Sequence, residues 1–170
     1  TFAQSRSPLV IYGVRPSRER GKLTLQSLNV ETNTIQDVTS TNLDDGEKVI
    51  GLTSLANGTL VLAVGPIRAG KKENAPTRLI FLGTSPRTLT LSGLGSQYAL
   101  ESFLGLNDGS LIGLVIRKNN MPPVRLANIN VNTGNISFTD RVNLPAQERF
   151  SQLMPTPNGT LYTTIVKKLG

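Results

Sequence analysis

The sequence predicts an all-β protein assembled from short antiparallel strands in recurring four-stranded units. Three observations predict it. Asn57-Gly58, Asp108-Gly109 and Asn158-Gly159 recur 51 and 50 residues apart, each followed by a hydroxyl residue and a leucine, Leu60, Leu111 and Leu161. A second phrase keeps the same rhythm: LNVETNTI at 28–35, LIFLGTSP at 79–86 and INVNTGNI at 129–136 place Val30, Phe81 and Val131 again 51 and 50 apart. The stretches between these turns are short, apolar and rich in β-branched residues, as strands are.

Taken in order, residues 1–7 are expected to be a disordered or extended segment, followed by units at 8–58, 59–109 and 110–159 and a fourth begun at 160–170. Within a unit, Asn-Gly or Asp-Gly between apolar runs predicts a type I′ hairpin, because both central residues of that turn need positive φ. It joins an inner strand (48–57, 149–158) to a second one (59–65, 160–166). The third strand follows a polar, charged loop, and a turn at Thr32-Asn33-Thr34 or Thr133-Gly134-Asn135 leads to the fourth. The second strands LVLAV (60–64) and LIGLVI (111–116) are apolar at successive positions, which predicts burial of both faces. SQYALESFLGL (96–106) and AQERFSQLM (146–154) also fit short amphipathic helices. The matching GEKVIGLTSL (46–55) contains glycine and β-branched residues, and this favours strand in all three. With strands lettered A to D, the chain reads B-C-D, A-B-C-D, A-B-C-D, A-B.

A period of about 50 residues carrying four antiparallel strands resembles the blades of β-propellers, in the NHL-like, kelch-like and quinoprotein-like group. The resemblance covers almost the whole chain, while the Trp-Asp, kelch diglycine and Trp-docking signatures of single families are absent. It implies that the chain is a partial propeller. Closing the ring then needs either further blades or a second copy of the chain, since unpaired strand edges invite pairing.

Composition narrows the chemistry. The 38% apolar content suits a globular protein, and no apolar run approaches the roughly 20 residues of a membrane helix. With no His and no Cys, Ser-His-Asp and Cys-His sites are excluded within this chain, as are the usual zinc, copper and haem ligands, and no cofactor is expected. Asp44-Asp45-Gly46-Glu47 lacks the alternating oxygen ligands of a calcium loop. Gly65-Pro66-Ile67-Arg68-Ala69-Gly70-Lys71-Lys72 approaches a phosphate-cradling loop, but Lys72 replaces the magnesium-binding hydroxyl and no helix is opened after it. The sequons at Asn57, Asn135 and Asn158 fall at hairpin turns and are accounted for by turn chemistry. Small residues at Thr1 and Ala3 match the tail of a secretory signal peptide, so an exported location (periplasm, cell envelope or outside) is expected, against the alternative of a merely polar terminus.

Charge placement gives the functional expectation. The loops between second and third strands hold Arg15, Arg18, Arg20 and Lys22, then Arg68, Lys71, Lys72 and Arg78, then Arg117, Lys118 and Arg125, and finally Lys167 and Lys168, thirteen of the 18 basic residues. Only Glu19 and Glu73 oppose them, so one face is expected to be basic and to attract anionic partners. Those loops contain no Phe, Tyr or Trp, the stacking platforms of nucleic-acid binders, so a protein or an acidic polysaccharide is the expected partner ahead of nucleic acid. The first reading is therefore a non-catalytic binding or scaffold protein using Arg15, Arg18, Arg20, Lys22, Arg68, Lys71, Lys72, Arg117, Lys118 and Arg125. An alternative is a propeller lyase or glycoside hydrolase with Glu47, Glu101 and Glu148 near the channel mouth, and another is a structural cell-envelope protein.

Overall fold

The computed structural model describes residues 9–17, 19, 21–67, 76–83, 86–117, 124–142, 148–156 and 160–167; the expected N-terminal segment 1–7 lies outside them. The chain divides into two compact units, Thr1–Asp45 and Gly46–Gly170. Among the described residues every regular element is a strand, and the described parts of both stretches open to a helical reading are strands too.

The first unit is an antiparallel sheet of β1 (Val10–Pro16), β2 (Lys22–Asn29) and β3 (Thr34–Asn42), in that order. Leu23 and Leu25 are buried on one face, while Arg15, Thr24 and Ser40 stand in one row on the other. The β2–β3 turn is local: Asn29 Oδ1 accepts the N–H groups of Glu31 and Thr32, and Asn33 takes φ 52°. Asn130 Oδ1 does the same for Asn132 and Thr133, with Gly134 at φ 75°, so the predicted turn chemistry recurs 101 residues later.

The second unit holds two four-stranded antiparallel meanders and a two-stranded sheet. The first meander is β4 (Glu47–Ser54), β5 (Leu60–Pro66), β6 (Arg78–Leu82) and β7 (Arg87–Thr90). The next is β8 (Tyr98–Gly105), β9 (Leu111–Arg117), β10 (Val124–Ile129) and β11 (Ile136–Val142), followed by β12 (Glu148–Pro155) paired with β13 (Leu161–Lys167).

β9 alternates between two cores. Leu111 and Val115 join Leu100, Phe103, Ala127 and Ile129 against Val61, Ala63, Leu79 and Phe81 of the β4–β7 sheet. Ile112, Leu114 and Ile116 face the other way, with Val124, onto Leu153 and Leu161 of the β12–β13 pair. Each such side chain contributes about 1.5–3 kcal/mol by leaving water. The two-faced burial read from LVLAV and LIGLVI is the observed one, since Val61 to Val64 and Leu111 to Ile116 are all buried.

Two features of local geometry differ from the sequence reading or escape it. The hairpins at Asn57-Gly58 and Asp108-Gly109 are three-residue loops rather than type I′ turns. Gly58 N–H bonds Leu55 O and Leu55 N–H bonds Thr59 O, with Gly109, Leu106 and Ser110 repeating the pattern. Only the glycines, at φ 80° and 84°, are left-handed. Asn57 and Asp108 serve as acceptors instead: Asn57 Oδ1 takes Thr59 N–H, and Asp108 Oδ1 takes both the Ser110 hydroxyl and its N–H. Those two bonds, the hydroxyl first, hold the Asp108 carboxyl below the ordinary aspartate value. The third hairpin, at Asn158-Gly159, lies outside the described residues. The second feature is a β-bulge in each inner strand, with register shifts between Val49 and Gly51, Leu100 and Ser102, and Phe150 and Leu153. In β8 the bulge lets Leu100 and Phe103, three residues apart, enter the same core.

Inner strands β4 and β8 approach without sharing a ladder. Gly105 N–H donates to Thr53 Oγ1 at 2.9 Å, and a Cβ at Gly105 would fall on the Ser54 carbonyl oxygen. At the far edge, Ser92 bonds Gly134 and Ile136 through the backbone, and Arg87 donates to Val131 O at 2.7 Å. Gly105→Ala is therefore expected to lower stability by about 1–3 kcal/mol, whereas Gly13→Ala, with open space at its Cβ, stays within about 0.5 kcal/mol of the parent. Urea unfolding midpoints of the two variants check this, and an unchanged Gly105→Ala midpoint would contradict the close approach.

Candidate anion-binding site

Both faces of β5 and β9 are dry, and the charged residue of β9 is its last, Arg117. Of the ten basic residues singled out, Arg15, Lys22, Arg117 and Arg125 are described, and Arg18, Arg20, Arg68, Lys71, Lys72 and Lys118 lie outside the described residues.

In the first unit Arg15 and Lys22 flank a depression of about 410 Å³ lined also by Ser17, Thr24, Asp37 and Ser40. Both cations meet carboxylates: Arg15 Nη2 lies 3.8 Å from Asp37 Oδ2, and Lys22 Nζ lies 3.1 Å from Glu19 Oε2. Exposed pairs of this kind contribute about 0.2–1 kcal/mol.

In the β4–β7 sheet the end position is a buried ion pair. Glu47, the first residue of β4, is buried, and it accepts from Arg78 of β6 twice, Nε to Oε1 at 2.7 Å and Nη2 to Oε2. The carboxylate is held by a guanidinium two strands away, whose planar fork suits it. Glu101 stands at the β8 bulge, and Glu148 opens β12 opposite Lys167. The three acids thus sit on three sheets, and no cluster of acids able to hold a metal occurs among the described residues.

The corresponding end of the β8–β11 sheet is built differently. Arg78 lies opposite Val64 and Glu47 opposite Pro66, whereas Arg125 lies opposite Val115 and Tyr98 opposite Arg117. Arg125 thus stands where Arg78 does, Tyr98 stands where Glu47 does, and a second guanidinium, Arg117, replaces Pro66. The Arg125 guanidinium lies 3.9 Å above the Phe138 ring, and Tyr98 packs against the same ring with centroids 5.7 Å apart. A hydrogen bond from Arg117, followed by the charges of Arg117 and Arg125 and a hydrogen bond from Arg125, lowers the Tyr98 pKa from the ordinary tyrosine value, while burial opposes the shift. The Nε atoms of Arg117 and Arg125 are shielded from solvent and have no acceptor among the described residues. A buried donor without a partner forfeits roughly 1–3 kcal/mol.

Sequence reading named Arg117 and Arg125 and missed Tyr98 and Phe138. The signal for Tyr98 was in the alignment of units, where it falls on the position that Glu47 and Glu148 occupy; that the arginine facing the position is kept shows only in the strand register.

No family model matches the chain, and no curated protein matches it. Among solved structures, a crystal structure of a Bacteroides caccae protein of unknown function is similar in fold, with 13% identity and a TM-score of 0.52 over 92% of this chain and 50% of that one. The chain therefore spans half the length of that protein.

Glu47→Gln strips Arg78 of its carboxylate and is expected to destabilise the fold by about 3 kcal/mol, read as a lowered urea midpoint. Arg117→Gln is expected to move the Tyr98 pKa upward, because it removes the donor that favours the phenolate. Phenolate absorbance followed through an alkaline titration checks the direction, and a downward or absent shift would contradict the Arg117–Tyr98 contact.

Proposed function

We propose that the chain is a partial β-propeller, with blades completed by further strands of a longer protein or by a second copy, that works as a non-catalytic binding module for an anionic macromolecule. The propeller reading is supported by two consecutive four-stranded meanders stacked face to face, by the inner strands β4, β8 and β12 lying side by side, and by bulges at matching places in those strands. The likeness to a protein about twice as long fits it at the level of fold alone.

The observation that carries the binding reading is the segregation of charge along each sheet. Within the second unit, Arg78 stands at the end of the β4–β7 sheet away from the β4–β5 hairpin, Arg117 and Arg125 at the corresponding end of β8–β11, and Lys167 at that of β12–β13; in the first unit, taken by itself, Arg15 and Lys22 stand together at one end of the β1–β3 sheet. The hairpins Leu55–Thr59 and Leu106–Ser110, at the opposite end of their sheets, carry no cation, and Arg87, which does stand at that end of the β4–β7 sheet, is engaged by Val131 O and the Phe81 ring. Cations collected at one strand end sum their fields toward an anionic partner, and an acidic polysaccharide or an acidic protein surface supplies the complementary charge. Export to the periplasm, envelope or exterior is part of the same reading. The hydrolase or lyase reading is weakened by Glu47, which is enclosed and taken up by Arg78.

Binding of an immobilised polyuronate is expected to weaken steeply as sodium chloride is raised from about 0.05 M to about 0.5 M, the range over which screening shortens from roughly 14 Å to 4 Å. An uncharged glucan should not bind. Retention that ignores salt, or equal retention on the uncharged glucan, would overturn the electrostatic reading.

A further inference from the structure

We propose that the Arg117–Arg125–Tyr98 end of the β8–β11 sheet is a carboxylate-binding site, in which the ligand supplies the group that Glu47 supplies at the corresponding position of the β4–β7 sheet. The proposal deepens the binding function above and rests on it for the identity of the macromolecule, but its geometry stands within one sheet.

Two sheets offer the same position with different occupants. In one, a carboxylate on the inner strand is gripped side-on by a guanidinium on the third strand, Arg78 Nε and Nη2 to the two oxygens of Glu47. In the other, the guanidinium remains at the same register and Tyr98 stands in the place of the carboxylate. Tyr98 does not substitute for it, since a phenol carries one oxygen and no charge at neutral pH, whereas two cations are present. The site is nonetheless held in shape. Phe138 supports Arg125 from below and packs on Tyr98, and Arg117 and Arg125 both hydrogen-bond Tyr98. Their Nε donors are shielded from solvent and have no acceptor among the described residues, so a planar acceptor reaches the pair first through the outer guanidinium nitrogens. The group that fits is a carboxylate, because the neighbouring pair demonstrates that shape against that arginine position. A uronate sugar and an acidic side chain both carry it.

The test titrates the protein at constant ionic strength with sodium glucuronate, N-acetylglutamate and sodium sulfate, following the Nε–H resonances of Arg117 and Arg125 by NMR. Saturable shifts of both resonances with the two carboxylates, weaker with sulfate, are expected. Arg125→Gln should weaken carboxylate binding about tenfold, the loss of one charge-assisted hydrogen bond. Tyr98→Glu places the carboxylate in the chain, and it should abolish glucuronate binding while raising the melting temperature. No saturation in the parent protein, sulfate binding as tight as the carboxylates, or undiminished glucuronate binding in both variants would overturn the proposal. The two readings fail separately. Polyuronate retention unaffected by Arg125→Gln would remove this site and leave the general binding function, whereas glucuronate binding without polyuronate retention would keep the site and remove that function. A preference for N-acetylglutamate over glucuronate would point to a protein partner.

Discussion

The exclusion of water from both faces of β9 constrains the rest of the second unit. A strand whose alternate residues face two different cores has no side on which a charged residue can be solvated. Leu111 to Ile116 are accordingly apolar or glycine throughout, and the first residue able to carry charge is Arg117, the last of the strand. Its hydrogen-bonded neighbours inherit the same restriction in weaker form, so that the polar residues of β8 and β10 concentrate at their ends or at the bulge. Gly113 follows from the same packing. A Cβ there would lie 2.7 Å from Leu100 Cδ1 and 3.1 Å from Ile129 Cδ1, so the space is already filled from either side. The location of the candidate site is therefore a by-product of core formation. Chemistry is pushed to the strand termini because nowhere else along these strands is wet.

What is done with a cation at such a terminus differs between sheets. Arg78 is part-buried and is neutralised on the spot by Glu47, whose own burial would be unfavourable without it. That arrangement is closed chemically as well as sterically, since two carboxylate oxygens meet two guanidinium nitrogens. Arg125 has a ring beneath it instead. Stacking on Phe138 supplies contact area and an electrostatic contribution, and the Tyr98 phenol, rather than a carboxylate, stands at the position facing it. Arg87 over Phe81, at 4.1 Å, makes the contrast clear: there the guanidinium also donates to Val131 O and fastens β7 to the β10–β11 turn, a structural task that uses its hydrogen bonds internally.

Much of the strand order was legible because turns are local. Asn29 and Asn130 form their side-chain bridges with residues two and three positions on, and Gly58 and Gly109 meet their partners within three, so spacing in the sequence translates directly into spacing of turns. The distinction between a two-residue and a three-residue hairpin was not legible. Asn-Gly serves both, and only the ladder register decides whether the asparagine itself turns left-handed or lends its side chain to the residue two on. Bulges were hidden for a related reason, since a shift of one residue in β8 is expressed in its pairing with β9 and not in its own composition. The Glu47–Arg78 pair was out of reach of sequence proximity, because its members are 31 residues apart and joined across an intervening strand. Positional comparison of units does not reach its arginine, since Arg125 follows Arg78 by 47 residues and only the ladder register equates the two; it does reach the acid, and Tyr98 is the residue at which that comparison fails to return one.

That failure separates a diffuse field from a discrete site. A net charge of +7 acts on any polyanion, but salt screens it over roughly 8 Å at physiological strength. Several of the described cations are already answered at contact range, Arg15 by Asp37, Lys22 by Glu19 and Arg78 by Glu47. Arg117 and Arg125 occupy diagonal positions on adjacent strands, roughly 7 Å apart at their roots. At an effective dielectric near 20, two like charges at that separation repel by roughly 2 kcal/mol. The fold tolerates this with a phenol and a ring for support and with two shielded Nε donors unmet. A carboxylate about 4 Å from each guanidinium would contribute roughly 4 kcal/mol per contact before its own desolvation is subtracted. The sign of that sum is set by the arginines rather than by the overall charge, and the affinity of such a site should therefore outlast the screening that weakens the rest of the basic surface.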